Sequence, residues 1–226
     1  LIPQKDKKLI LDREVYNLPN GMKIFADNRG EADFLYREIF QDNCYIKHGI
    51  SLPENACVID AGANIGVFTL YIKQLCKNAK VIAFEPIPKI FELLKANVEL
   101  YDLSNVICVN QGLSNINGKK TFFHYPMSSL QSGYYTNISE DASIVTNVAI
   151  NQMKKIQGLG KNASFDNEIL KNRFNHIKYE CSVLTLTKVI EQYDLKKIDL
   201  LKIDVEKSEM DVLKGIKNED WDKINK

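Results

Sequence analysis

The sequence predicts a doubly wound α/β fold, in which helices cover both faces of a parallel sheet. Apolar strand-like runs alternate with amphipathic, helix-like segments from residue 57 to residue 109. The strand-like runs are apolar on both faces, as strands buried between two layers of helices must be. A glycine-containing turn, "DAGANIG", joins the first run to the first helix, and this is the position at which such sheets preferentially bind ligands.

The first element is a leader that we place at residues 1–50. Within it, "YNLPNGMKIFA" has two short apolar segments around Asn20-Gly21, a pair that supplies the positive φ angles of a tight hairpin turn. In "EADFLYREIFQ" apolar residues recur at helical spacing, and acidic residues come first, where the helix dipole favours them. We therefore expect a hairpin followed by a helix that packs over the rest of the domain.

The second element is the α/β core, which we place at residues 51–114 and 179–226. Its first part reads as strand "ACVIDA", helix "VFTLYIKQLC", strand "KVIAFE", helix "PKIFELLKANVELY" and strand "NVICVNQGL". In its second part the alternation returns with "YECSVLTL", "TKVIEQY", "KIDLLKIDVE" and "SEMDVLKGI". Because a chain of 226 residues suits one well-buried core, we expect a single domain.

The third element, residues 115–178, interrupts this alternation. "KKTFFHYP" is predicted to be a strand, and a polar stretch follows it between Met127 and Asn175. An irregular segment of this length inside a compact domain is usually functional. We interpret the polar stretch as a mobile lid over the substrate, in which hydrogen exchange is fast and slows when ligand binds.

Composition and charge argue against several classes of protein. Thirty basic and twenty-nine acidic residues leave a formal net charge of +1, and the basic residues are scattered, so we expect neither nucleic-acid nor membrane-surface binding. No apolar segment is long enough to cross a bilayer, and the amino terminus lacks a secretion signal. The five cysteines show no CxxC spacing, which fits a reducing compartment. We expect a cytoplasmic protein without a metal ion.

The turn after the first core strand predicts an adenosine-containing ligand. It contains Gly62 and Gly66, and the next strand ends at Glu85, about where an acidic residue binds ribose hydroxyls. A dinucleotide needs a glycine where this chain has Asn64, because pyrophosphate approaches the backbone there. S-adenosylmethionine has no phosphate at that point, and Asp60 would lie near its ammonium group. A tight turn that binds nothing remains the alternative.

Three blocks of the sequence resemble the FkbM family of S-adenosylmethionine-dependent methyltransferases, most of whose assigned members methylate hydroxyl oxygens. The blocks are "VIDAGANIGVFTLYI", "VIAFEPIPKIFELLKANVELY" and "DLLKIDVEKSEMDVLKGI". "LPNGMKIFADNRGEADFLYREIF" resembles the leader of members embedded in polyketide or peptide assembly lines. The resemblance implies the Rossmann-like sheet of class I methyltransferases, with two further strands after the last helix that this sequence does not reach. The family usually has a glycine at the position of Lys207.

The resemblance also implies which residues hold the cofactor. The turn around Gly62 would contact its methionine part, Glu85 its ribose, and the segment 110–114 its adenine. The predicted cofactor-binding residues are Asp60, Gly62, Asn64, Gly66, Glu85, Pro86, Gly112, Ser114 and Asp204.

Three residues are candidates for accepting a proton from an alcohol. Asp204 and Glu206 lie two positions apart at the end of a predicted strand, so their side chains should point the same way. His124 alternates with aromatic residues in "FFHYP". A solvated acidic pair and a structural histidine are the alternatives. Tyr36 and Tyr45 of the leader are candidates for closing over the cofactor and substrate, although each also suits an ordinary aromatic core.

Together these features predict an O-methyltransferase that acts on a hydroxyl group of a biosynthetic intermediate. We expect an acyl group tethered to a carrier protein, with that carrier and neighbouring synthase domains as partners. Leu1 without an initiator methionine is interpreted as the start of an excised domain. The alternatives are a methyltransferase of a free sugar or small molecule, a nicotinamide-dependent oxidoreductase, which Asn64 argues against, and an inactive binding module, which the intact acidic residues argue against.

Overall fold

The computed structural model describes residues 15–126, 129, 132–133 and 175–226. Most of the stretch interpreted as a lid, between Met127 and Asn175, lies outside the described residues. In chain order the elements are β1 (Val15–Asn17), β2 (Lys23–Phe25), α1 (Arg29–Tyr36) with a π-helical turn (Arg37–Gln41), β3 (Cys57–Ala61), α2 (Val67–Leu75), β4 (Lys80–Phe84), α3 (Pro88–Leu100), β5 (Val106–Val109), β6 (Gly112–Leu113), β7 (Gly118–His124), β8 (Ile177–Leu184), α4 (Leu186–Gln192), β9 (Leu200–Ile203), α5 (Glu209–Lys214) and a 3-10 helix (Asn218–Lys223).

A four-stranded sheet in the order β5-β4-β3-β9 forms the centre of the molecule. All three strand pairs are parallel. Val58 and Val81 face a core shared with α1, α2 and α3, whereas Ile59 and Ile82 face a core shared with α4 and α5. Both faces of the sheet are therefore buried under helices, which confirms the predicted α/β class.

The strand β8 does not join this central sheet. It pairs antiparallel with β7 and parallel with β6 in a separate three-stranded sheet, which corrects its placement in the parallel core. Its burial alternates, since Cys181 and Val183 are buried while Lys178 and Glu180 are exposed. Such a strand suits a sheet with one face in solvent.

The leader forms the predicted hairpin and helix. β1 and β2 pair antiparallel, and Asn28 caps α1 by accepting hydrogen bonds from the backbone amides of Gly30 and Glu31, as asparagine does at helix starts. In the described ranges, no helix is long and apolar enough to cross a membrane.

Asn97 of α3 connects the leader to the core. Its side chain is fully buried; its Oδ1 accepts from the amide of Phe25 at 2.6 Å, and its Nδ2 donates to the carbonyls of Phe25 at 3.0 Å and Ile65 at 2.8 Å. One amide side chain thus joins β2 to the turn that precedes α2.

Replacing Asn97 with leucine should lower the free energy of unfolding by about 2–4 kcal/mol, because buried polar groups of Phe25 and Ile65 lose their partner. Urea unfolding measures the change. Tyr101→Phe is the matched control, since the Tyr101 hydroxyl bonds the backbone of Lys23 at the exposed end of the same strand. Water replaces that hydroxyl, so the control should lose about 1 kcal/mol or less. Equal losses of unfolding free energy in the two variants would contradict the role of Asn97 in joining the leader to the core.

Candidate active site

A cavity opens at the carboxyl ends of β3, β4 and β9, where ligands bind in parallel sheets. Its empty volume is about 960 Å³, including the open space at its mouth. Nine of the predicted site residues line it: Tyr45, Gly62, Asn64, Glu85, Pro86, Gly112, Ser114, Asp204 and Glu206. The full lining brings residues of the leader, the central sheet, the three-stranded sheet and the start of the insertion into one space.

The turn between β3 and α2 requires its two glycines for different reasons. Gly62 has a φ of +74° and lies so close to the loop after β9 that a Cβ would be 1.9 Å from the carbonyl oxygen of Asp204. Gly66 has a φ of +89° at the start of α2, where a Cβ would be 2.7 Å from a methyl group of Leu94. Gly62 lines the cavity, whereas Gly66 is not among the residues lining it.

Glu85 follows β4 and presents a buried carboxylate at the cavity, with 5% of its surface exposed. Its Oε2 accepts from the amide of Asn64 at 3.1 Å, and its Oε1 accepts from the amide of Ile87 at 2.9 Å. Burial raises the pKa of Glu85 to about 7, although these two hydrogen bonds oppose the rise. Each oxygen keeps further capacity to accept from a ligand hydroxyl.

Asp60 lies beneath the turn and is not among the residues lining the cavity. It is fully buried, accepts a 2.7 Å hydrogen bond from the Thr69 hydroxyl and lies 3.1 Å from Nζ of Lys202. Its charge is therefore directed at Lys202, across the pair of strands β3 and β9, and away from the place where we predicted a ligand ammonium group.

Among the described residues, Asp204 has one carboxylate oxygen engaged and one available. Its Oδ2 accepts a 2.7 Å hydrogen bond from the Tyr45 hydroxyl and lies 3.6 Å from Nζ of Lys202. No described residue makes a hydrogen bond or ion pair with its Oδ1, and 43% of the side chain is exposed. Burial, and next the charge of Asp204, raise the pKa of Tyr45, so this phenol stays protonated and acts as a donor.

Glu206 also lines the cavity, but not through the strand geometry that we predicted. β9 ends at Ile203, and Glu206 and Lys207 have φ angles of +41° and +64°. The segment is therefore a turn of left-handed residues, and the alternation of side chains along a strand does not apply to it. Gly133 of the insertion packs against Glu206, where a Cβ would lie 3.2 Å away.

The structure places His124 and Tyr36 outside the main cavity. His124 is 2% exposed and borders a smaller neighbouring cavity, with its Nδ1 3.2 Å from the Ser132 hydroxyl. Burial lowers the pKa of His124, which favours a neutral ring. Tyr36 stacks on Phe40 at a centroid distance of 5.2 Å, so it contributes to the leader's aromatic core.

Sequence reasoning missed several cavity residues, among them Phe68, Lys120, Phe122, Lys202 and Ser208. Lys202 carried a signal, since a lysine in the apolar run "KIDLLKIDVE" must be buried with partners. The others came from segments whose contacts across the fold were not predictable. Within the described ranges, no group of three or more His, Cys, Asp or Glu residues is placed to hold a metal ion.

Comparison with known proteins gives a consistent result. A family model described as the methyltransferase FkbM domain matches residues 60–225. The 31-O-demethyl-FK506 methyltransferase FkbM of Streptomyces tacrolimicus is 35% identical over 93% of this chain and 78% of its own length. The methyltransferase sdnD of Sordaria araneosa is 34% identical over 90% of this chain and 76% of its own. The AMB antimetabolite synthetase AmbE of Pseudomonas aeruginosa is 40% identical over 88% of this chain, which spans 9% of that synthetase.

Proposed function

This chain belongs to the FkbM family of methyltransferases, and from that premise we propose that it methylates a hydroxyl oxygen of a biosynthetic intermediate with S-adenosylmethionine. One observation carries the proposal: a single cavity joins the Gly62 turn and the buried Glu85 carboxylate to the available oxygen of Asp204. The cofactor end and the proton-accepting end of such a reaction are thus next to each other.

The residues at the Gly62 end fit an adenosine ligand without phosphate. Glu85 offers a carboxylate that accepts hydrogen bonds from the two ribose hydroxyls, and its burial strengthens these hydrogen bonds. The amide of Asn64 already donates to Glu85, so it is not directed at a pyrophosphate. This arrangement favours S-adenosylmethionine over a nicotinamide dinucleotide. The cofactor supplies a methyl group that positive sulfur activates toward nucleophiles.

The chain itself contributes in two ways: it aligns the reacting atoms, and it removes one proton from the acceptor. In-line displacement depends on the placement of nucleophile, methyl carbon and leaving sulfur. Asp204 is the proposed base, because Tyr45 and Lys202 hold its Oδ2 and leave its Oδ1 for an acceptor hydroxyl. Oδ1 takes the hydroxyl proton as the oxygen–carbon bond forms. Glu206, at the same cavity, orients the acceptor.

We further propose that the acceptor is an acyl group tethered to a carrier protein. The likeness to AmbE supports this, because the matched segment is a small part of a long synthetase. A tethered acceptor arrives at high effective concentration, so its site need not bind the free acyl group tightly. The competing acceptor is a free small molecule.

The test offers hydroxyacyl-loaded carrier proteins and, in parallel, free alcohols and sugars, each with S-adenosylmethionine. Mass spectrometry then looks for one added methyl group. Methylation of a loaded carrier supports the tethered acceptor. If loaded carriers stay unmodified while a free alcohol is methylated efficiently, tethering fails and the methyltransferase assignment stands. Tight binding of NADH in place of S-adenosylmethionine would overturn the cofactor assignment.

The pKa of Glu85 predicts how cofactor affinity depends on pH. Ribose hydroxyls donate to the charged carboxylate, so affinity should rise about tenfold between pH 6 and pH 8 as the group ionises around pH 7.

Without ligand, the contribution of Glu85 to the stability of the fold changes with pH in the opposite direction. The folded-state pKa lies above the unfolded value near 4.5, so this group's contribution to stability is full below pH 4.5 and is lost as the pH rises through 7. Calorimetric titration with S-adenosylhomocysteine and thermal unfolding measure the two trends.

Two variants check that Glu85 is responsible. Glu85→Gln should bind S-adenosylhomocysteine with an affinity that no longer changes across this pH range. Glu85→Ala should weaken binding by about 1–3 kcal/mol, the range for a lost charged hydrogen bond. Unchanged affinity in Glu85→Ala would remove the ribose assignment.

A further inference from the structure

Lys202 occupies a position between the two ends of the proposed site. It lies on β9 in register with Asp60 of β3, and 6% of its surface is exposed. Its Nζ donates to the carbonyl oxygen of Gly62 at 2.7 Å and lies 3.1 Å from Oδ1 of Asp60 and 3.6 Å from Oδ2 of Asp204. One amino group thus contacts the cofactor turn and the proposed base.

Two aromatic rings also lie near the amino group of Lys202. Nζ lies 5.5 Å from the ring centroid of Tyr45 and 5.7 Å from that of Phe68, and the two rings pack edge to face. Aromatic rings attract a cation at these distances. They also restrict the positions that the lysine side chain can adopt, so its contacts are fixed on several sides.

We propose that Lys202 is a positioning residue that fixes the distance between the cofactor turn at Gly62 and the proton-accepting carboxylate of Asp204. This inference rests on the proposed function and deepens it. The Nζ of Lys202 and the Tyr45 hydroxyl both engage Oδ2 of Asp204, which leaves Oδ1 for the acceptor. The same amino group donates a hydrogen bond to the Gly62 carbonyl, so it keeps the turn at a constant distance from the base.

A lysine that served only to neutralise Asp60 would act differently. The buried carboxylate of Asp60 needs a cation, but that need does not require contacts to Gly62 or Asp204. A variant that removes both charges of the Asp60–Lys202 pair therefore separates the two roles. The net buried charge stays the same in this variant, but the contacts of Lys202 with the turn and with the base are lost.

The experiment compares Asp60→Asn/Lys202→Met with the wild type. Lys73→Met is the matched control, because Lys73 is also a buried lysine, and it donates to the carbonyl of Ala79 but is not among the residues lining the cavity. Circular dichroism establishes folding. Calorimetry with S-adenosylhomocysteine and the single-turnover rate of methyl transfer at saturating S-adenosylmethionine are the two readouts.

The double variant is expected to bind S-adenosylhomocysteine about tenfold less tightly, as for a lost charged hydrogen bond. Single-turnover methyl transfer at saturating S-adenosylmethionine should also slow about tenfold, because the base is no longer held in place against the Gly62 turn. A purely structural lysine would move neither readout, and Lys73→Met should match the wild type in both.

A folded double variant with wild-type affinity and an unchanged single-turnover rate overturns the positioning role. If it does not fold, Lys202→Arg keeps a cation beside Asp60 but has a larger, planar group. The positioning role then predicts about tenfold weaker binding in that variant, and wild-type binding overturns it. If the wild type itself binds no S-adenosylhomocysteine, the proposed function fails and not this inference alone.

Discussion

Replacing Gly62 with alanine should lower the free energy of unfolding by more than about 3 kcal/mol and abolish measurable cofactor binding. The φ of +74° costs a residue with a Cβ about 1–2 kcal/mol. The added Cβ would also lie 1.9 Å from the carbonyl oxygen of Asp204, so the loops after β3 and β9 must separate. Because these loops carry the cofactor turn and the proposed base, both shift together. Urea unfolding with and without S-adenosylhomocysteine measures the two effects.

Gly21→Ala is the matched control for this variant. Gly21 has a φ of +83° in the leader hairpin, and a Cβ there would have no atom within 4 Å. It therefore reproduces the backbone strain without the collision, and should cost about 1–2 kcal/mol and leave cofactor affinity at the wild-type value. Equal losses of stability in the two variants would show that backbone conformation, and not the approach of Gly62 to Asp204, sets the requirement.

Replacing Asp204 with asparagine should lower the rate of methyl transfer by about 10²–10⁴-fold, the usual contribution of a positioned general base. The substitution keeps the shape of the side chain, so S-adenosylhomocysteine affinity should change little. Single-turnover measurements with a saturating acceptor separate this loss of rate from any loss of binding. Tyr45→Phe, which removes the hydroxyl that orients Oδ2, should cost about tenfold.

Glu206→Gln and His124→Ala test the other two candidates for the base. Both should lose less activity than Asp204→Asn, because Glu206 lies on a left-handed turn and His124 lies outside the main cavity. Full activity in Asp204→Asn together with a large loss in Glu206→Gln would assign the proton transfer to Glu206. A large loss only in His124→Ala would require the ring to reach the cavity in a different arrangement of the insertion.

Local pattern was sufficient for much of this fold. The parallel strands were predictable because burial on both faces leaves continuous apolar runs, as in β3 and β4. The glycines at 62 and 66 and the acid at 85 were predictable because a strand-to-helix turn at a sheet edge needs particular backbone angles and spacing. The cavity lies where these features predicted it. The resemblance to the FkbM family was recognisable from the same blocks and is confirmed by the matched domain.

The sequence by itself thus determined the α/β class, the glycine turn and the place of Glu85, whereas the tertiary structure decided which polar side chains reach the cavity. Asp60 adjoins the turn in sequence but is directed beneath it by its register with Lys202. Tyr45 and Asp204 are separated by 159 residues in the sequence, yet their side chains form a hydrogen bond. β8 pairs with β6 and β7 in a separate three-stranded sheet and not with the central parallel sheet. Spacing along a chain describes neighbours within one turn or strand, but the direction of a buried charge depends on partners that only packing brings together.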